Sequence, residues 1–362
     1  MKSVRLGMMG AGKMGHWAAR RIQPHPDARI TALFDTHAGR CAALADEFDI
    51  PFRFTSAQEL CSCDEVDAIY IALPNKFHVS MAKLALRSGK HVLLEKPFAM
   101  NAAEAEEIIA EANACDRVLM VGMDKRYAED SQRVVALARA GALGDLYYGK
   151  AYWLRRTGIP KMGTWFGNKA LAGAGALNDI GVHMLDLCLH AMDNFEPVSV
   201  YGKTFTVFGH RGEGQGSWGM SDAEGIPFDV DDFAAALIKF RNGAVVNLEV
   251  AWACHIAEDN RWNAEIFGTD GGASMIPGKW YRKNPDTGLS ETIDPPADPL
   301  RFPHAEKFHN FINHLLGREE LLVKNSEALA VQRILDAVAE SCRTGGEVRI
   351  GGSERGRAND ER

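Results

Sequence analysis

The feature that most limits the fold is a glycine loop near the N-terminus. Gly10-Ala11-Gly12-Lys13-Met14-Gly15 is a G-x-G-x-x-G that directly follows the apolar run Val4–Met9 and leads into a helical stretch through His16–Ile22. In that setting each glycine has a task. Gly10 permits the tight turn, Gly12 lets the backbone approach a pyrophosphate, and Gly15 lets helix and strand pack closely. The helix N-terminus behind them offers N–H donors and a positive partial charge to an anion. Gly10, Gly12, Lys13, Met14 and Gly15 are therefore candidate cofactor contacts. An acid at the end of the second strand completes the fingerprint. Asp35 stands 20 residues after Gly15, at the end of the strand-like run Arg29–Phe34. Its carboxylate can accept from both ribose hydroxyls and repels a 2′-phosphate, which favours NAD over NADP. His37 and Arg40 pull the other way, since either could reach a phosphate.

The rest of the first third repeats the strand–helix alternation. Ala68–Leu73, His91–Leu94 and Val118–Val121 read as buried strands, with helical stretches at Arg40–Phe48, His78–Ser88 and Ala102–Cys115. Continuous apolar strands alternating with helices predict a parallel sheet covered on both faces. The pattern changes near residue 124. A helix over Ser131–Ala140, a strand over Leu146–Leu154 and a glycine-rich stretch, Gly163–Gly175, precede a helix from Asp179 to Met192. Strands then dominate: Val198–Phe208, Asp232–Phe240, Ala244–Trp252 and Arg261–Phe267, with Asn242-Gly243 as a hairpin turn. Helices over His304–Leu316 and Ser326–Cys342 close the chain. The fold class is an α/β Rossmann domain with a doubly wound parallel sheet, followed by an α+β domain with a large open, mainly antiparallel sheet. The expected divisions are 1–123, 124–350 and a frayed tail, 351–362.

Bulk properties exclude several classes. The formal net charge of -7 and the lack of any Lys/Arg run argue against a nucleic-acid or membrane-surface protein. No uncharged apolar run approaches the roughly 18 residues of a membrane span. Seven scattered cysteines read as free thiols in a reducing compartment, and Cys61 and Cys63 have no second pair to complete a zinc site. Val4–Met9 runs straight into the glycine turn, unlike a signal peptide. A cytoplasmic protein is expected.

Glu95-Lys96-Pro97 follows the His91–Leu94 strand, so Lys96 stands at the carboxyl end of a parallel strand, where open α/β sheets bind ligands. Pro97 fixes the exit of the chain. Asp179 and His183 are four apart, so on a helix they share a face, and a carboxylate beside an imidazole sets its orientation and tautomer. Asp179 near the helix start is favoured by the dipole. His183, Asp186 and His190 could also face one side of that helix as metal ligands, but no motif supplies the remaining ligands, so no metal is expected.

These motifs resemble the Gfo/Idh/MocA oxidoreductases, named for glucose–fructose oxidoreductase, inositol dehydrogenase and a rhizopine-catabolism protein. The resemblance is carried by Gly10–Gly15, by Leu73-Pro74-Asn75 with His78, by Glu95-Lys96-Pro97, and by the segment from Gly173 to His183. Ala174 departs from a common glycine there. The resemblance spans nearly the whole chain. It implies an NAD-dependent dehydrogenase moving a hydride between nicotinamide C4 and a hydroxyl-bearing carbon of a sugar, anhydrosugar or cyclitol. It implies Lys96, Asp179 and His183 as the catalytic set, with Leu73, Pro74, Asn75, His78, Glu95 and Lys96 beside the cofactor, and a homodimer or homotetramer. Lys96 and His183 both remain open as the final proton acceptor. Some relatives instead hold NAD and cleave a glycosidic bond by transient oxidation, and a non-catalytic NAD-binding protein is a third reading. Arg155 or Arg156, Lys161 and Trp165 precede or enter the glycine stretch and are expected to roof the substrate pocket, with Arg156, Lys161 and Trp165 the first choices. Trp153 and Trp165 could equally just pack the sheet.

Overall fold

The computed structural model describes residues 2–220 and 227–351. The glycine loop joins β1 (Val4–Met9) to α1 (Lys13–Ile22), and β2 (Ala28–Phe34), α2 (Ala38–Glu47), β3 (Phe52–Phe54), α3 (Ala57–Cys61) and β4 (Ala68–Ile71) follow. Then come α4 (His78–Arg87), β5 (His91–Leu94), α5 (Ala102–Ala114) and β6 (Leu119–Val121). The six strands run parallel in the order β3-β2-β1-β4-β5-β6. The order reverses beside β1, so the crevice at the strand ends lies over the glycine loop and the turns after β4 and β5. β4, β5 and β6 are almost wholly buried, which explains their uninterrupted apolar sequence. Helix α5 starts where the Asn101 side chain accepts from the Glu104 N–H at 3.0 Å.

The second region opens with α6 (Glu129–Arg139) and β7 (Leu146–Arg155). It continues through α7 (Lys169–Ala172), a π-helical turn at Leu177–Gly181, α8 (Val182–Met192) and β8 (Pro197–Phe205). The remaining strands are β9 (Phe233–Phe240), β10 (Val245–Ala251), β11 (Asn260–Gly268), β12 (Gly271–Met275), β13 (Gly278–Lys283), β14 (Ser290–Ile293) and β15 (Val348–Arg349). They form one nine-stranded sheet in the order β14-β13-β12-β11-β7-β10-β9-β8-β15. The sheet is mostly antiparallel but not wholly so. β7 and β10 pair in parallel at its centre, because the chain between them leaves the sheet as α7 and α8 before returning. Helix α8 covers the inner face. A Cβ on Gly149 of β7 would sit 2.7 Å from both Cys188 Sγ and Met192 Sδ, so that glycine sets how closely α8 approaches. The outer face leaves Tyr201, Phe205 and Leu237 exposed.

Two helices, α9 (Lys307–Leu315) and α10 (Asn325–Thr344), lie between β14 and β15. α9 falls within the stretch expected to form the second domain, yet it docks on α1, with Phe308 edge-on to Tyr70 and 5.4 Å from Trp17. The division after residue 123 thus describes the sheets and not this returning helix. The expected tail, apart from Gly351, lies outside the described residues.

Other differences have local causes. α1 begins at Lys13 and not His16, because the helix starts inside the glycine motif itself. β4 stops at Ile71, which frees Leu73 for the crevice. β3, α3 and the β12–β14 meander carry no sequence signal of comparable strength. β13 and β14 lie at a sheet edge, are half exposed and lack an apolar run.

Candidate active site

A cleft of about 1140 Å³ runs between the two sheets. Its walls include Met14, Leu73, Asn75, Glu95 and Lys96 from the first region. Asp179, His183, Trp153, Trp262 and Trp165 come from the second. The expected ammonium, carboxylate and imidazole therefore meet in one place, although Lys96 and Asp179 are 83 residues apart.

At the nucleotide end, Gly10 has φ +109°, and a Cβ there would lie 2.4 Å from the Ala72 carbonyl. A Cβ on Gly15 would lie 2.2 Å from the Gly10 carbonyl. Gly12 has nothing within 4 Å of that point, so open space lies above it. Two glycines are required by the protein's own contacts and the third faces room for a ligand. Asp35 accepts from the Ala11 N–H and the His37 N–H, each at 2.8 Å, one on each carboxylate oxygen. Each oxygen retains a lone-pair site for a ribose hydroxyl. Arg40 approaches the same carboxylate at 3.7 Å. Lys13 donates to the Ser217 carbonyl at 3.0 Å and stands 5.2 Å over the Trp218 ring. It ties the glycine loop to the second region.

His78 does not face the cleft. Its Nδ1 is 3.0 Å from the Pro97 carbonyl and its Nε2 is 3.1 Å from the Leu73 carbonyl. It is fully buried and clamps the turn after β4 to the turn after β5, so it positions Leu73 and Lys96 without reaching a cofactor. Pro74 caps the short turn that carries Asn75. The Asn75 amide donates to the Ala172 carbonyl at 2.8 Å, joining the two regions. Glu95 lines the cleft but is bound to the Tyr70 hydroxyl at 2.7 Å and to the Lys307 ammonium.

The catalytic candidates pair differently from the sequence expectation. Lys96 Nζ donates to Asp179 Oδ1 and to the Asp179 carbonyl, both at 2.9 Å. The buried Trp252 indole N–H donates to Asp179 Oδ2, also at 2.9 Å. Asp179 thus serves Lys96 and not His183. Both Asp179 oxygens are already engaged, by Lys96 on one side and Trp252 on the other, where the π turn leads into α8. That turn is held by Asp231, which accepts from the Gly175 N–H at 2.7 Å and the Leu177 N–H at 2.9 Å. A Cβ on Gly175 would lie 1.9 Å from the Asp231 carbonyl, so this glycine exists for close approach.

The carboxylate beside His183 is Asp124, just beyond β6, with Oδ1 3.1 Å from His183 Nδ1. The approach is off the ideal hydrogen-bond line. Among the described residues Nε2 has no protein partner, and the ring lines the cleft. Burial lowers the His183 pKa below its usual value, with Lys96 and Lys125 adding to that and Asp124 opposing it. Burial disfavours charge on Asp124, but His183, Lys125 and Lys307 outweigh it and hold the carboxyl well below its usual range. Burial likewise acts against Asp179, yet Lys96, Arg155 and Trp252 keep its pKa low. The site therefore presents two carboxylates and a neutral imidazole near pH 7.

Asp186 and His190 turn away from the cleft. Asp186 grips the fully buried Arg126 through two bonds of 2.8 and 2.6 Å, and His190 Nδ1 is 3.3 Å from the same guanidinium. The metal reading loses two of its three ligands to this anchor.

Of the three expected substrate contacts, only Trp165 lines the cleft, beside Phe166. Arg156 is turned outward to the Ile256 and Ala257 carbonyls and to Asp259, and Lys161 is exposed outside the cleft. Alternation along β7 is the reason: successive side chains point to opposite sides, so Arg155 faces inward where Arg156 does not. Trp262 is paired with Trp153 across β11 and β7, with ring centroids 5.2 Å apart. Sequence reading missed Asp124, Lys125 and Trp262. Asp124 was findable by the rule that singled out Lys96, since both follow a buried parallel strand.

Residues 4–123 match a family described as "Oxidoreductase family, NAD-binding Rossmann fold", and residues 131–274 match the Gfo/Idh/MocA C-terminal domain. The chain is 31% identical to a putative UDP-kanosamine synthase oxidoreductase subunit of Amycolatopsis mediterranei, over 71% of each protein. The chain belongs to the Gfo/Idh/MocA oxidoreductases. It is also 29% identical to D-glucoside 3-dehydrogenase of Escherichia coli, over 96% of this chain and 97% of that one. Its fold overlays levoglucosan dehydrogenase bound to NADH and levoglucosan with a TM-score of 0.81 at 21% identity, covering 97% and 100% of the two chains. In this Gfo/Idh/MocA member the residues present fit NAD. The space above Gly12, the start of α1 and the Asp35 carboxylate answer to pyrophosphate and ribose in turn.

Proposed function

We propose that this oxidoreductase is an NAD-dependent dehydrogenase of sugars, anhydrosugars or cyclitols, with Lys96, Asp179 and His183 as its catalytic set. The carrying observation is the meeting of these three side chains in the cleft that begins at the glycine loop. The names of the sugar-oxidising relatives support the substrate class.

Gly10, Gly12, Met14, Gly15, Asp35, Leu73 and Asn75 would hold the dinucleotide, with Asp35 favouring NAD over NADP. Bound NAD supplies the hydride acceptor. His183, neutral and facing the cleft, takes the hydroxyl proton. Lys96 is paired with Asp179 and so acts as a hydrogen-bond donor to the oxygen as it gains negative charge. An ammonium has no lone pair with which to accept a proton, which assigns the base role to His183. Asp179 fixes the Lys96 amine, and Asp124 orients His183 and stabilises its protonated form.

The exposed Tyr201, Phe205 and Leu237 on the outer face of the second sheet support a homodimer or homotetramer formed there. All seven cysteines are free thiols, which fits a reducing compartment such as the cytoplasm. The test is NADH formation across monosaccharides, anhydrosugars and inositols. Stoichiometric NADH supports the dehydrogenase. Product without free NADH would indicate transient oxidation, and NAD binding without either would leave only a binding protein.

A further inference from the structure

Five cations line the cleft, and four of them have a carboxylate. Arg21 pairs with Glu306 at 2.7 Å, Lys96 with Asp179 at 2.9 Å, Lys125 with Asp124 at 3.5 Å, and Lys307 with Glu95. Arg155 is the exception. Among the described residues no carboxylate lies within the 4.0 Å ion-pair distance of its guanidinium. Its guanidinium donates to the Gly158 carbonyl at 3.4 Å and lies over the Trp153 ring at 4.5 Å. The nearby lining acid Asp259 is held at 3.2 Å by Arg156.

The stacking matters for chemistry. A guanidinium that lies on an indole uses its face, and its N–H donors remain in the plane. At most one of the five is used by Gly158. Burial works against the Arg155 charge, and Asp179 only partly offsets this. The lining acids are engaged elsewhere: Asp179 by Lys96, Asp124 by Lys125 and His183, Glu129 by Arg133, and Asp130 by the Gly278 N–H. The Trp153 ring on which Arg155 rests is 6.3 Å from the His183 ring, and all three line the same cleft.

We propose that Arg155 receives an oxyanion carried by the substrate, so that the preferred substrate is an acidic sugar, a carboxylate or a phosphate ester, and not a neutral one. This rests on the dehydrogenase reading and narrows its substrate class. A planar fork binds either anion through two parallel N–H bonds.

The experiment uses the NAD-bound enzyme with matched substrates: D-glucose, D-glucuronate and D-glucose 6-phosphate, with D-galactose and D-galacturonate as a second set. NADH formation gives kcat/KM, and calorimetry on the NADH complex gives affinity without turnover. At least one acid should be favoured over its neutral partner by about tenfold or more in either readout. Arg155→Gln should cut that acid-to-neutral ratio about 10- to 100-fold, chiefly through KM or Kd. Arg155→Lys, which keeps charge but loses the fork, should fall between. The uronate and phosphate arms show which anion is meant. Neutral sugars equal to or better than every acid, or a ratio unmoved in Arg155→Gln, overturns the proposal. NADH from neutral sugars alone leaves the dehydrogenase reading standing while this one falls. Acid-selective binding through Arg155 without NADH formation does the reverse.

Discussion

The two halves of the cleft are built by different means. The cofactor half is made of main chain: a glycine loop, strand ends and two turns clamped together by His78. The substrate half is made of side chains from β7, β11, the π turn and α8, each brought in by a separate part of the chain. A main-chain surface admits little change, since a Cβ at Gly10 or Gly15 meets a carbonyl oxygen. A side-chain surface can be altered one residue at a time. The fold can thus keep its nucleotide while its substrate changes. The catalytic pairs straddle the boundary, Lys96 and Asp124 from strand ends of the first sheet meeting Asp179 and His183 from the second region. Chemistry therefore requires both halves to be docked.

The comparison can be sharpened by substitutions that act on one half alone. His183→Ala should lower kcat by about 10²- to 10⁴-fold, with NAD affinity changed little, as steady-state kinetics and calorimetry will show. Asp124→Asn should lower kcat by about 10- to 100-fold and also move the acid limb of the kcat/KM profile to lower pH. The sign follows from the groups around His183. Burial, Lys96 and Lys125 depress its pKa, while Asp124 raises it, and Asp179 on the preceding turn is engaged by Lys96. The base works when neutral, so activity rises with pH through that depressed pKa, and loss of Asp124 depresses it further. An unmoved limb would reduce Asp124 to a packing residue.

Within the glycine loop two substitutions should separate ligand from scaffold. Gly12→Val should weaken NAD by about tenfold or more with little change in melting temperature, since only open space meets the new side chain. Gly15→Ala should instead destabilise the fold by about 1–3 kcal/mol, seen as a lower denaturation midpoint. Equal effects of the two on stability would break the distinction. Smallest of all, Arg156→Ala and Lys161→Ala should change kcat/KM by less than about twofold, as is usual for surface positions.

The same division explains what was legible in the sequence. The cofactor half depends on residues close together along the chain, so motif and strand end could be read directly as far as Asp35 and Lys96. The partner of Asp179 and the direction of Arg156 depended on geometry that spacing does not reveal. Asp179 is taken by Lys96, 83 residues away in the chain, and strand alternation placed Arg155, not Arg156, inside. His78 looked like a cofactor contact because it travels with the Leu73-Pro74-Asn75 segment, but both ring nitrogens are consumed by backbone carbonyls. Asp124, Trp262 and the docking of α9 on α1 depend on contacts across long stretches of chain, which local patterns do not encode.

The most direct test is a single-turnover measurement on Lys96→Met, mixing NAD-loaded enzyme with a sugar turned over by the unaltered protein and following nicotinamide absorbance. Calorimetry on the same variant should show NAD bound within about threefold of normal, while hydride transfer slows by about 10³-fold or more. Hydride transfer at the unaltered rate would show that the ammonium at the tip of β5 plays no part in the chemistry.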